Sequence, residues 1–190
     1  MEGVKKTDVP KSEKSLQDSQ RPGAESGMQR HTLSLLVANK PGVLIRIALV
    51  FARRGYNIDS LVVSESNDPG FSTMNIVAAG DKRCLDQILD QLNKLIDVIH
   101  ASDRTGEDII QRELAMIKLK CEPETRSDVL QLAHAMHCDI IEVTEHATIL
   151  QITGDSEQLD SAFRVFERYG VQEMIRTGKV LMARGQEFTP

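Results

Sequence analysis

Tryptophan is absent from this chain of 190 residues, and aromatic side chains of any kind are scarce, with two tyrosines and five phenylalanines. Platforms on which single-stranded bases stack are therefore hard to build. An excess of positive charge is missing too: 23 Lys plus Arg stand against 28 Asp plus Glu, a formal net charge of −5. Affinity for nucleic acid comes largely from neutralised phosphates, so no nucleic-acid partner is expected. The three cysteines (Cys84, Cys121, Cys138) lie far apart without a C-x-x-C. They offer neither a metal knuckle nor a disulfide framework and suit a reducing cytoplasm. No run of 18 apolar residues occurs, and the first 30 positions hold no apolar stretch. Neither a membrane span nor a secretory signal is expected.

What is present begins after a polar leader. Residues 1–27 carry Pro10, Pro22 and, after Met1, only Val4, Val9, Leu16 and Ala24 as apolar side chains. Such a segment buries too little to offset its ordering entropy, and a disordered tail is expected. Residues 32–38 then read as a buried strand. Leu44, Ile47, Ala48 and Phe51 follow at helical spacing, with a stop at Gly55. Residues 56–64 and 71–79 read as a hairpin, Leu85, Ile88, Leu89 and Leu92 as a second helix, and 95–103 as a closing strand. The order β-α-β-β-α-β recurs from residue 114, with helices marked by Val129, Leu132, Ala133 and Met136 and by Leu159, Ala162, Phe163 and Phe166. Ala79-Gly80-Asp81 and Thr153-Gly154-Asp155 are matching strand-to-helix junctions. A short last strand is expected near 179–183.

The fold class this predicts is α+β. Two tandem ferredoxin-like β-α-β-β-α-β units each form an antiparallel sheet with both helices on one face. The expected limits are 28–104 for the first unit, 105–113 for a linker, 114–185 for the second unit and 186–190 for a tail. One sheet face per unit is left without helices, and apolar residues occur on both faces of the first strand. A homodimer that buries the uncovered face or an edge follows.

Catalytic and metal constellations are hard to find. His134, His137 and Cys138 lack a fourth ligand and read as a solvated helix end. His31, His100 and His146 are dispersed, and Ser72-Thr73 has no spaced His and acid partner. Neither G-x-x-x-x-G-K-[ST] nor G-x-G-x-x-G occurs. No catalytic residue and no metal site is assigned. What remains is the turn Asn39-Lys40-Pro41-Gly42 between a strand and a helix start. Free N–H groups and the positive dipole end would suit a carboxylate there, and Asn39 offers both a donor and an acceptor. A plain turn punctuated by Pro and Gly is the other reading of the same residues.

The run HTLSLLVANKPGVLIRIALVFARRGYNIDSLVVSESNDPGFSTMNI, with QLNKLIDVIHASD after it and RTGKVLMARG near the end, resembles the small regulatory subunits of acetolactate synthase. The resemblance spans about residues 28–185, and its second half rests mainly on element order and the last strand. It implies that the first unit is an ACT domain, an amino-acid-sensing module, and the second a ferredoxin-like domain. It further implies a non-catalytic, cytoplasmic subunit that activates a thiamine-diphosphate-dependent catalytic large subunit. Feedback inhibition by a branched-chain amino acid, valine foremost, would come with it. No cofactor of its own is implied; thiamine diphosphate, Mg and FAD belong to the catalytic subunit.

Asn39, Gly42, Val43 and Leu44 match the family's effector-binding turn, and Asn57 and Ile58 match the strand that faces the effector across a homodimer. Ile45 stands where some relatives carry a small polar residue. The loop Glu65–Gly70 is a candidate contact for the catalytic subunit. A free-standing ACT sensor acting on another enzyme or regulator is the alternative.

Overall fold

The computed structural model describes residues 29–186 and 189. The tail expected to be disordered at 1–27 lies outside the described residues. The first unit runs β1 (Gln29–Ala38), α1 (Val43–Ala52), β2 (Ile58–Glu65), β3 (Phe71–Gly80), α2 (Lys82–Leu92) and β4 (Val98–Asp103). The second runs β5 (Ile110–Lys120), α3 (Pro123–Ala135), β6 (Asp139–Val143), β7 (Ala147–Gly154), α4 (Ser156–Glu167) and β8 (Val171–Arg176), and β9 (Val180–Met182) follows. Strand order is β2-β3-β1-β4 in one sheet and β6-β7-β5-β8 in the other, all antiparallel. The units therefore share one topology, with β2 and β6 at corresponding edges.

Strand and helix periods meet in each core. Leu33, Leu35 and Val37 alternate along β1 and pack with Met74, Ile76 and Ala78 of β3. Against that face lie Val43, Ile47 and Phe51 of α1 and Leu85, Ile88 and Leu92 of α2. The second core repeats the pattern with Ala115, Ile117 and Leu119 under Val129, Ala133, Leu159 and Phe166. Both helices of a unit thus cover one sheet face, as the 2.0 and 3.6 periods require.

The two Gly-Asp junctions work alike. Asp81 caps α2 by accepting from the Cys84 N–H at 2.9 Å, and Asp155 caps α4 in a reciprocal box with Gln158. Each preceding glycine carries a side chain on its backbone. A Cβ at Gly80 would stand 1.9 Å from Cε1 of Tyr56, whose hydroxyl donates to Asp81 at 2.9 Å. At Gly154 it would meet Gln158 Oε1 at 2.5 Å. Gly80→Ala should therefore destabilise the chain by about 1–3 kcal/mol, the usual cost of overpacking. Gly154→Ala should cost less, because the amide end of Gln158 swings aside. Urea unfolding of the two variants measures this; an unchanged midpoint for Gly80→Ala would refute the ring seat.

Two boundaries differ from expectation. Residues 110–113, placed in the linker by the sequence, belong to β5, because Ile110, Gln111 and Arg112 pair with Met182, Leu181 and Val180 of β9. The strand expected from residue 95 starts at Val98. Leu95 and Val98 N–H groups close turns onto Leu92 and Leu95, and Ile96 is left 95% exposed. Its apolar character reads as strand, but Asn93 sets the turn instead, bonding both the N–H and the carbonyl of Ala101 at 2.9 Å.

The exit from the first unit is locked by Asp103. Its carboxylate lies 3.0 Å from Nδ1 of buried His31 and accepts from the Thr105 hydroxyl and, at 2.9 Å, the Thr105 N–H. Burial pushes this carboxyl up, yet the two Thr105 donors and His31 outweigh it and hold it below the ordinary 3.8. A depressed carboxyl stabilises the fold above its unfolded value, and that contribution is lost as the pH falls through the folded one. Between pH 5 and 2 the unaltered chain should lose more stability than Asp103→Asn. Parallel acid-range denaturation curves for the two chains would contradict this.

Candidate functional site

The turn after β1 is built by backbone. Asn39 N–H donates to the Gly70 carbonyl at 2.9 Å, and its side-chain amide donates to the Pro69 carbonyl at 3.1 Å. Asn39 thus ties the turn to the Glu65–Gly70 loop, which Ser66 and Asp68 brace from within. Gly42 is the N-cap of α1 with φ +84, a left-handed conformation that favours glycine. No side chain caps this helix start, no acid occupies its first turn, and the Val43 N–H makes only a long 3.4 Å bond to Lys40. Such a start is suited to a small anion.

Side chains around the turn divide unevenly. Leu44 is exposed, whereas Val43 is 3% exposed and belongs to the core. Arg46 was not singled out from the sequence. Its guanidinium would lie 3.5 Å from a Cβ at Gly42 and pairs with Asp97 at 2.6 Å. The signal for it was spacing: Arg46 is one helical turn beyond Gly42.

Asn57 and Ile58 are elsewhere. Ile58 pairs with Ala78 near the end of β3, while Asn39 bonds to Gly70 just before β3 begins. The eight strand steps from position 70 to position 78 separate them by about 26 Å. One chain does not bring the two halves of the motif together. β2 is an edge strand, and its far end, Glu65 opposite Ser72, lies at the level of the Asn39 turn. Beside that edge α1 keeps Ile45 66% and Leu49 44% exposed, and Val63 on β2 is 44% exposed.

The comparisons decide the family. Residues 33–100 match the AHAS small subunit-like ACT domain, and residues 112–185 match the small subunit of acetolactate synthase. The chain is 43% identical over 156 residues to a Methanothermobacter thermautotrophicus protein named "Probable acetolactate synthase small subunit", covering 82% of this chain and 93% of that one. Identity is 39% over 159 residues to the acetolactate synthase small subunit of Mycobacterium leprae, covering 84% and 94%.

The chain belongs to the acetolactate synthase small-subunit family. The crystal structure of the family's Thermotoga maritima small subunit superposes with a TM-score of 0.74 at 35% identity, over 84% of this chain and 99% of that one. A tandem ACT-type architecture, resting on a sequence pattern of two repeated units, is thus the family's own. As a small subunit of acetolactate synthase, the chain has a catalytic large subunit as its partner.

Outside the turn, the structure separates the remaining candidates. His134 and His137 are exposed at the end of α3, but Cys138, read as part of a solvated helix end, is buried in the second core. Burial and, secondarily, Asp139 push its thiol up to about 11. Among the described residues no group of three or more His, Cys, Asp or Glu side chains is placed to hold a metal ion, and no helix is long and apolar enough to cross a membrane.

Proposed function

We propose that this small subunit is non-catalytic, activates the thiamine-diphosphate-dependent large subunit, and makes it sensitive to a branched-chain amino acid, valine foremost. The effector sits between two copies of the chain. The observation that carries this reading is the separation of the motif: the turn and the start of β2 lie at opposite ends of one unit, and β2 is an open edge. Antiparallel pairing of two β2 edges puts Asn57 and Ile58 of one copy beside the turn of the other. It also covers Ile45, Leu49 and Val63, apolar side chains otherwise left in water.

In the assembled site the N–H groups at the start of α1 hold the effector carboxylate, with the positive end of the helix dipole behind them. Asn57 of the second copy takes the ammonium group, and Leu44 and Ile58 take the branched side chain. Val43 serves by packing the helix start, since its side chain faces the core. Thiamine diphosphate, Mg and FAD are assigned to the large subunit, and the cytoplasm is the compartment in which three free cysteines persist.

Calorimetric titration of the chain with L-valine, then leucine and isoleucine, tests the reading. Valine should bind and shift the chain towards dimer in sedimentation runs. One methylene separates valine from leucine, so discrimination between them should be about 10- to 200-fold at most. No binding with any of the three would overturn the effector assignment.

A further inference from the structure

The two units touch where the Thr177–Gly178 turn, between β8 and β9, lies on β2. A Cβ at Gly178 would stand 3.1 Å from Val62 Cγ2 and 3.2 Å from both Cβ and Oγ of Ser60. Gly178 also has φ +92, so close approach and backbone conformation both call for glycine. The turn is held to the second sheet: Thr177 N–H donates to the Leu114 carbonyl at 3.0 Å, and Leu114 N–H donates to Thr177 Oγ1 at 3.2 Å. Ser60 and Val62 pair with Val77 and Asn75, which places them on the helix-free face of the first sheet. The second unit therefore rests a fixed turn on the back of an edge strand.

That strand is the one that carries Asn57 and Ile58. The β2–β3 register passes from Ile58 opposite Ala78 to Ser60 opposite Val77, so Asp59 is bulged out of the ladder, and its carboxylate lies 3.5 Å from Arg30. Only this bulged residue separates Ile58 from the contact. The adjoining cleft, about 680 Å³, is lined from both units by charges of both signs. Arg30 faces Asp59, Arg176 pairs with Asp160 at 2.5 Å, and Glu113 accepts from the Ser156 hydroxyl. The cleft is a seam to which both units contribute side chains.

We propose that the Thr177–Gly178 turn, seated on Ser60 and Val62, is the coupling contact through which effector occupancy at Asn57 and Ile58 reaches the second unit. The inference rests on the effector reading above and adds a division of labour: the first unit supplies affinity, and the contact supplies inhibition. Coupling of this kind requires that the active and inhibited states of the holoenzyme, linked through the docked turn, differ in effector affinity; in the chain alone there is no such pair of states for the contact to couple.

The test uses the holoenzyme reconstituted from the full chain and the catalytic large subunit, inhibited with L-valine, beside calorimetry on the chain alone. Gly178→Ala pushes the turn off β2, and Val62→Ala removes the opposing methyls without straining any backbone, which keeps the test alive should the glycine variant fail to fold. Both variants should bind L-valine like the unaltered chain and activate the large subunit as before. The valine concentration for half-inhibition should rise about tenfold, within the 5- to 150-fold range usual for coupling between sites. Intact binding with intact inhibition in both variants would overturn the coupling contact alone, as would loss of valine binding itself. An unaltered chain that binds no branched-chain amino acid would instead overturn the effector reading and this inference with it.

Discussion

A chain carrying Gly42→Asp should lose valine binding by about 100-fold or more and leave the reconstituted synthase uninhibited, while still folding and activating the large subunit. Three effects act together. The new carboxylate competes for the helix-start N–H groups, as an Asp at an N-cap does. It also repels the effector's own carboxylate, and Arg46, 3.5 Å from the new Cβ, is drawn to it. Loss of two charge-assisted hydrogen bonds at about 1.5–3 kcal/mol each accounts for the magnitude. The left-handed φ of +84 adds strain, but Asp tolerates that region better than most residues. Gly42→Ala is the control, since it brings the strain without the charge and should weaken binding less. Undiminished inhibition by Gly42→Asp would dispose of the turn as the effector site.

Mixing two defective chains should restore part of the inhibition that each lacks alone. Gly42→Asp spoils the turn, and Asn57→Ala spoils the facing strand; both positions lie on the surface or in the turn and leave the core intact. A dimer of either variant has two broken sites. A mixed dimer has one site with both defects and one with neither, so an equal mixture should recover about a quarter of the sites, as two-fold symmetry dictates. Calorimetric stoichiometry on the mixture reads this directly. Absence of any recovery, with mixed dimers present, would show that each chain holds its effector by itself.

Much of this fold could be read locally. The helices were visible because Leu44, Ile47 and Phe51, or Leu159, Ala162 and Phe166, repeat at the period of a helix face, and all of these except the exposed Leu44 are core residues in the structure. The Gly-Asp junctions announced helix starts, since Asp caps a helix through its own neighbours. What misled was equally local. Leu95 and Ile96 look like strand, but the turn is imposed by Asn93 bonding to Ala101. Residues 110–112 look like linker, and their pairing partner lies some 70 positions on in β9. Val43 carried the family's motif, yet the sequence alone did not say that its side chain turns inwards.

The sequence by itself therefore determined the element order, the internal repeat, the caps and, through the motif around Asn39–Leu44 and Asn57–Ile58, the family. Each depends on residues a few positions apart, where periodicity and capping chemistry act. The tertiary structure decided that the two halves of the family motif stand about 26 Å apart along one unit, that β2 is an open edge, and that Gly178 lies on Ser60 and Val62. These follow from strand order, and strand order is set by burial summed over the whole sheet, which no local pattern of residues carries.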